Sequence, residues 1–186
     1  MVAAFAYIYP AHNWLKPLNP VLGETYQAYL SDGGLVYLEQ ICHHPPISYI
    51  TFEGPNDMFR FHGYSNFAVK ARWNHINLEV GGHKMVEFPD GTKITFGNVQ
   101  DTFQNYLIGT CHHILHGDFE FVDEKNKLRG IMNVGQVSRK PKDYMTGRIE
   151  QFNEATGKWD VVCSQIKGTY MGYMDFDGER LFDIRQ

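Results

Sequence analysis

The sequence has few cysteines and no long hydrophobic run. Its three cysteines, Cys42, Cys111 and Cys163, are an odd number and form no Cys-x-x-Cys pair. A disulfide framework is therefore not expected, and a reducing cytosol fits best. The apolar residues 1–9 have no basic lead-in and reach Pro10 too soon for a signal peptide or a membrane span. We expect a cytoplasmic, soluble protein that visits membranes without crossing them.

The sequence also lacks a charge excess and the signatures of common enzymes. Lys and Arg number 17 against 21 Asp and Glu, which gives a net charge of −4. Nucleic-acid binding through phosphate neutralisation is therefore not expected. No Gly-x-Ser-x-Gly elbow or Walker loop occurs. Because Cys42 and His43 are sequence neighbours, they seldom have the geometry of a nucleophile and its base. We expect no catalysis and no cofactor.

Aromatic residues, by contrast, are abundant, with 13 Phe and 11 Tyr. Turn clusters such as Pro89–Gly91 recur between short aromatic and β-branched runs, a pattern typical of antiparallel hairpins. Within residues 158–164, Trp159, Val161 and Cys163 alternate with polar residues, as in a sheet with two different faces. Helical periodicity is weak; the best candidates are the first dozen residues and the stretch Asp101–Tyr106.

This pattern predicts a mainly β fold in one domain that covers residues 1–186. Roughly a dozen candidate strands would close into a large, nearly closed antiparallel barrel with a cavity, because closure removes exposed strand edges. An open sandwich would give similar punctuation. A short helix is expected at the N-terminus.

The first specific segment begins at Lys16. Pro17 and Pro20 fix φ and push the residues before them towards extended conformations. A cation on Lys16 and an amide on Asn19 are therefore held on a stiffened backbone. Gly23 then permits a tight entry into a strand.

The second specific segment places His43 and His44 directly before Pro45 and Pro46. On an extended backbone the two imidazoles would face opposite sides, so they need a bend to act on one ligand, and the proline pair can supply one. Two imidazoles, an ammonium and an amide suit a phosphate monoester. A His-His pair is more often simply a surface pair or a satisfied core pair, so these residues alone leave both interpretations open.

The two segments resemble the fingerprints of oxysterol-binding-protein-related proteins. Lys16–Glu24 is similar to Lys-Pro-Phe-Asn-Pro-Leu-Leu-Gly-Glu, and Glu39–Pro46 is similar to Glu-Gln-Val-Ser-His-His-Pro-Pro. Weaker similarity covers Met1–Ala6, Asn105–Gly109 and Lys140–Tyr144. The resemblance implies a large antiparallel β-barrel around a hydrophobic tunnel that holds one lipid, a sterol or phosphatidylinositol 4-phosphate, and exchanges lipids between membranes.

Site residues follow from the same resemblance. It implies that the headgroup phosphate contacts Lys16, His43 and His44, that Asn19 joins them at the headgroup, and that Glu24, Pro45 and Pro46 support the site. The protein would be a monomer that contacts membranes peripherally.

The resemblance also implies parts that this chain does not show. The family's lid and C-terminal helical region have no counterpart here, so we expect the central part of the lipid-binding domain. A truncated, binding-deficient interaction module is one alternative. A zinc-binding β protein is another, because Cys-His-His occurs at Cys42–His44 and at Cys111–His113, with His116 close by.

Overall fold

The computed structural model describes residues 20–135 and 138–183 of the chain. The predicted N-terminal helix, Lys16 and Asn19 lie outside the described residues. Fourteen strands account for nearly all regular structure in these two ranges: β1 (Thr25–Tyr29), β2 (Leu35–Cys42), β3 (Ile47–Glu53), β4 (Arg60–Arg72), β5 (His75–Gly81), β6 (Lys84–Glu87), β7 (Lys93–Phe96), β8 (Gln100–Gln104), β9 (His112–Asp123), β10 (Leu128–Val134), β11 (Tyr144–Asn153), β12 (Lys158–Thr169), β13 (Tyr173–Phe176) and β14 (Glu179–Asp183). A 3-10 turn, Pro55–Asp57, lies between β3 and β4.

The strands form one antiparallel sheet that follows the chain as a meander. Strand β4 pairs with β5 along one part of its length and with β6 along another, so β5 and β6 act as one interrupted strand. Strands β7 and β8 pair with β9 in the same way. The mainly β, antiparallel prediction is confirmed. Among the described strands, β1 and β14 end the path and do not pair with each other.

One local prediction was wrong. The stretch Asp101–Tyr106 was a helix candidate, but Gln100–Gln104 forms β8 and pairs with β5 on one side and β9 on the other. Backbone hydrogen bonds to two neighbouring strands outweigh a weak local helical periodicity, because propensity is only a weak prior.

Pairing register places apolar side chains on one face of the sheet, which we call the inner face. Its most buried members come from β9 to β13: Leu115, Met132, Val134, Met145, Ile166 and Met174. Tyr170, just after β12, accepts a hydrogen bond on its hydroxyl oxygen from the Leu115 backbone N–H at 3.2 Å. Strands β10 and β11 lie between β9 and β12. At a spacing of about 4.8 Å between neighbouring strands, the Tyr170 side chain could not reach Leu115 across a flat sheet. The sheet is therefore bent around its inner face.

A buried amine lies at the breaks that separate β5 from β6 and β7 from β8. Lys84, which is 7% exposed, points to the inner face and donates to Asn98 Oδ1. The Asn98 amide in turn donates to the carbonyls of Gly81 at 3.0 Å and Gly82 at 3.2 Å. Burial lowers the pKa of Lys84 from 10.5 to about 8, because a low-dielectric environment disfavours the charged form.

Stability should therefore rise with pH through the titration of Lys84. The folded pKa lies below the unfolded one, so the unfolded chain holds more protons between about pH 8 and 10.5. Relative to Lys84→Met, the native chain should gain about 2–3 kcal/mol of unfolding free energy across that interval. Urea unfolding at both ends measures this gain, and tyrosine and cysteine titrations cancel between the two proteins. Lys93→Met, at an exposed position of β7, is the control and should show no such gain. Identical pH profiles for native and Lys84→Met chains would contradict a buried amine.

Candidate functional site

The turn between β2 and β3 carries both histidines of the second motif. His43 and His44 are exposed, and their ring centroids lie 4.4 Å apart with the rings tilted by 53°. The backbone from His43 to Pro46 is a turn rather than an extended strand. The bend expected from the proline pair is therefore present. Two adjacent imidazoles can contact a single ligand from this turn.

Contacts on both sides hold the histidine turn in place. Gln40, which is 4% exposed, donates through Nε2 to the carbonyl of Cys42 at 2.7 Å. Its Oε1 accepts a hydrogen bond from the Ser48 hydroxyl at 2.6 Å. The carbonyl of Pro46 accepts from the Phe67 backbone N–H at 3.1 Å, which ties the turn to β4. The histidines are thus presented on a braced loop.

Sequence reasoning assigned no role to Gln40, although the motif contains it. In β2 this residue follows Val36 and Leu38 at a period of two, so it occupies an inner-face position. A polar residue in an apolar series must find buried partners, and here these bridge the strand before the histidines to the strand after them. In the sequence, the signal for this role was the polar Gln40 at a position where the alternating pattern calls for an apolar residue.

Glu24 lies in the turn that leads into β1. Its carboxylate accepts the backbone N–H of Val21 at 2.9 Å, which closes the turn. The Glu24 carbonyl accepts from Gln40 N at 3.1 Å, and the Gly23 N–H donates to the Gln40 carbonyl at 2.8 Å. The first and second motifs are therefore joined by backbone hydrogen bonds at Gln40. Glu24 supports the loop within the described residues.

A groove of about 300 Å³ lies between these two motifs. Its walls combine apolar and polar side chains: Pro20, Glu24, Thr25, Tyr26, Leu38, Glu39, Gln40 and Ser48. Tyr26, Leu38, Gln40 and Ser48 belong to the inner face by register. The groove thus connects the start of β1 with the apolar face of the sheet. Pro20, the first described residue, directly follows Asn19 in the chain.

The zinc-ligand candidates on β9, His113 of the second Cys-His-His triplet and the nearby His116, face opposite sides of the sheet. His113 stacks on Phe103 with centroids 4.4 Å apart and lies 3.4 Å from Asp101 Oδ1. His116 faces the other side, where its Nε2 is 2.8 Å from the Thr102 hydroxyl. Across residues 20–135 and 138–183, no group of three His, Cys, Asp or Glu side chains could hold a metal ion. In the same ranges no helix is long and apolar enough to span a membrane.

Taken together, the fold and site define a class of protein. It is built on a curved antiparallel β sheet with an apolar inner face and a polar turn at one edge. The sequence profile of the Oxysterol-binding protein family matches residues 1–180. The chain belongs to the oxysterol-binding protein family. The resemblance in its two motifs is thereby confirmed.

Individual relatives agree with this assignment. The chain is 29% identical over 190 residues to oxysterol-binding protein 9 of Dictyostelium discoideum, covering 91% of this chain and 44% of the relative. It is 52% identical over 137 residues to mouse oxysterol-binding protein-related protein 2, covering 71% of this chain and 28% of the relative. It therefore spans less than half of the length of either.

Solved structures show the same fold. The Osh1 ORD domain in complex with ergosterol matches with a TM-score of 0.76 at 19% identity, over 100% of this chain and 42% of that one. The Osh3 ORD of Saccharomyces cerevisiae in complex with PI(4)P matches with a TM-score of 0.78 at 15% identity, over 97% of this chain and 50% of that one.

Proposed function

We propose that this chain binds a single lipid against its apolar inner face and takes part in lipid transfer between membranes. The observation that carries the proposal is the pair of exposed imidazoles on a braced turn beside the groove that leads to that face. Its fold relatives were solved with ergosterol, with cholesterol and with PI(4)P. A sterol and phosphatidylinositol 4-phosphate are therefore the ligands we propose for this chain.

The headgroup site would consist of Lys16, Asn19, His43 and His44. A phosphate monoester offers several acceptor oxygens, which charge-assisted hydrogen bonds from ammonium and imidazolium groups satisfy. Because His43 and His44 are neighbours on one turn, they can share one phosphate. The acyl chains of the lipid would lie on the inner face, where burial of apolar surface contributes about 25 cal/mol per Å².

The remaining parts of the proposal concern the setting of the protein. We propose that it acts in the cytoplasm as a peripheral, monomeric lipid carrier without enzymatic activity. We also propose that residues 1–186 correspond to the central part of the ligand-binding domain.

Substitution of Lys16 tests the headgroup assignment. Lys16→Ala should weaken binding of phosphatidylinositol 4-phosphate by about 1.5–3 kcal/mol, the usual range for a hydrogen bond to a charged group. Binding of cholesterol should change little, because a neutral lipid has no phosphate to lose. Native mass spectrometry of the protein incubated with each lipid measures both. Lys125→Ala, in the turn after β9, is the matched control and should affect neither lipid. Equal losses of both lipids in Lys16→Ala would indicate a folding defect and would overturn the assignment.

A further inference from the structure

Two neighbouring connections carry an exposed apolar surface that the proposed lipid site does not use. The turn between β4 and β5 exposes Trp73 by 77%, and the loop between β8 and β9 exposes Leu107 by 58% and Ile108 by 64%. Tyr106 adds an exposed aromatic ring next to them. We call Trp73 and residues 106–108 the apolar tip. Large apolar side chains exposed together commonly mark an interaction surface.

Hydrogen bonds hold the two connections rigidly side by side. The Asn74 Oδ1 accepts the backbone N–H groups of Leu107 and Ile108, each at 3.0 Å. The Asn74 Nδ2 donates to the Ile108 carbonyl at 2.9 Å, and Asn105 N donates to the Asn74 carbonyl at 2.8 Å. Asn74 therefore provides hydrogen-bond partners for the loop backbone. The apolar side chains of the loop are free to point outwards. The tip is preorganised, so binding costs little ordering entropy.

The two chain segments that carry the tip contain no carboxylate side chain. Residues 69–78 and 102–117 contain no Asp or Glu. Arg72 ends β4 directly beside Trp73, and His75 and His112 are exposed close to the tip along the chain. Lys70 is engaged by Glu79 at 2.6 Å. An aromatic and aliphatic tip beside the Arg72 guanidinium, on segments without carboxylates, is complementary to an anionic lipid surface.

The tip also lies at the edge of the sheet that carries the histidine turn. Strands β2, β4 and β8 run in the same direction, because each is separated from the next by one antiparallel strand in the path. Their C-terminal ends, and the connections that follow them, therefore share one edge. The register pairs Ile47, just after the histidine turn, with Asn66, and β4 continues from there to Arg72, a further rise of about 20 Å. The tip projects beyond the histidines.

We propose that the apolar tip inserts into the interfacial region of an anionic lipid bilayer and holds this edge of the sheet against the membrane. Trp73 and Tyr106 would sit at headgroup level, where aromatic rings are favoured, and Leu107 and Ile108 would reach the acyl boundary. The inference rests on the proposed function in one respect: docking at this edge turns the headgroup site towards the membrane that supplies the lipid.

Vesicle sedimentation tests the docking. The full chain is mixed with phosphatidylcholine vesicles that contain roughly one third phosphatidylserine, an anionic surface of the kind that basic segments recognise. Leu107→Ser with Ile108→Ser should weaken partitioning roughly tenfold to a hundredfold, since each loses the burial of a large side chain. The matched control, Met58→Ser with Leu181→Ser, replaces two exposed apolar residues elsewhere and should bind like the native chain. Both variants retain Asn74, and their melting curves should match that of the native protein.

Trp73 provides an independent readout. In a chain carrying Trp14→Phe and Trp159→Phe, brominated phospholipids should quench the remaining fluorescence when vesicles are added. The same quenching in the Leu107→Ser, Ile108→Ser background, or equal sedimentation of all variants, would overturn the proposal. A tip variant that changes the sedimentation mass without vesicles would instead assign the tip to contact between copies of this chain and would also overturn it.

Failure of the proposed function is distinguishable from failure of docking. Phosphatidylinositol 4-phosphate with short acyl chains stays in solution and can bind without a bilayer. The tip variants should bind it like the native chain and lose only the vesicles. If no variant binds the soluble lipid while vesicle binding still depends on the tip, the lipid-site proposal fails and the docking proposal stands.

Discussion

Replacement of both His43 and His44 by alanine should weaken binding of phosphatidylinositol 4-phosphate by about a hundredfold or more. Two hydrogen bonds to a charged group are each worth about 1.5–3 kcal/mol, and each 1.4 kcal/mol is a factor of ten in affinity. Both rings are exposed on a turn that Gln40 and Pro46 hold from the backbone side. Their loss should therefore leave the fold unchanged.

The measurement is extraction of the phosphoinositide from liposomes by the native and double-variant proteins. The matched control is His62→Ala with His83→Ala. His62 lies in β4 and His83 lies between β5 and β6, so neither belongs to the histidine turn. This control variant should extract lipid like the native chain. A neutral sterol gives a second control, since its extraction should be equal in all three proteins.

The same histidines should make phosphoinositide binding depend on pH. Imidazoles change charge between pH 5 and 8, and a phosphate dianion favours their protonated form, so binding takes up protons. Affinity should therefore fall as the pH rises through this range. Below about pH 6 the phosphate gains its own proton and the affinity should level off. Native and double-variant proteins with the same pH profile would show that these histidines are not phosphate ligands.

The largest effect on stability is expected from Met132→Ala. Met132 is 0% exposed and lies at the centre of the inner-face cluster. It also occupies the space above Gly147, where an added Cβ would collide with its sulfur. Truncation of a fully buried Met removes its burial and leaves a cavity, which typically costs about 2–5 kcal/mol.

Urea unfolding measures this cost, with Met58→Ala as the matched control. Met58 is 60% exposed, so its truncation should change the free energy of unfolding by less than about 0.5 kcal/mol. A cost at Met132 as small as that at Met58 would mean that the inner face is not a packed core. A Gly147→Ala substitution should also destabilise the native chain, because the Ile131 carbonyl lies 2.5 Å from the added Cβ.

Much of the strand pattern was predictable because it is local. In residues 158–164 the alternation of Trp159, Val161 and Cys163 indicates a strand, and β12 covers it. The turn at Pro89–Gly91 falls between β6 and β7, as its Pro-Asp-Gly sequence predicts. The helix prediction for Asp101–Tyr106 failed for the opposite reason. Its strand structure comes from pairing with β5 and β9, partners that are remote in sequence.

The candidate site shows the same division. The histidine bend was predictable from Pro45 and Pro46, because proline restricts the backbone next to it. The role of Gln40 was not, since its partner Ser48 is reached only through the pairing of β2 with β3. Nor could the chain order show that the Glu24 carbonyl would accept a hydrogen bond from Gln40, which follows it by 16 positions.

The amino-acid sequence by itself determined the strand-and-turn character of this protein, the bend at the histidines and the family to which the chain belongs, because these depend on neighbouring residues and on short motifs. Only the tertiary structure decided which side chains meet. Asn74, next to Trp73, binds Ile108 across 34 positions of sequence, and Lys84 is buried where two strands are interrupted. Such contacts depend on strand register, which is set by the packing of the whole sheet and not by any local pattern.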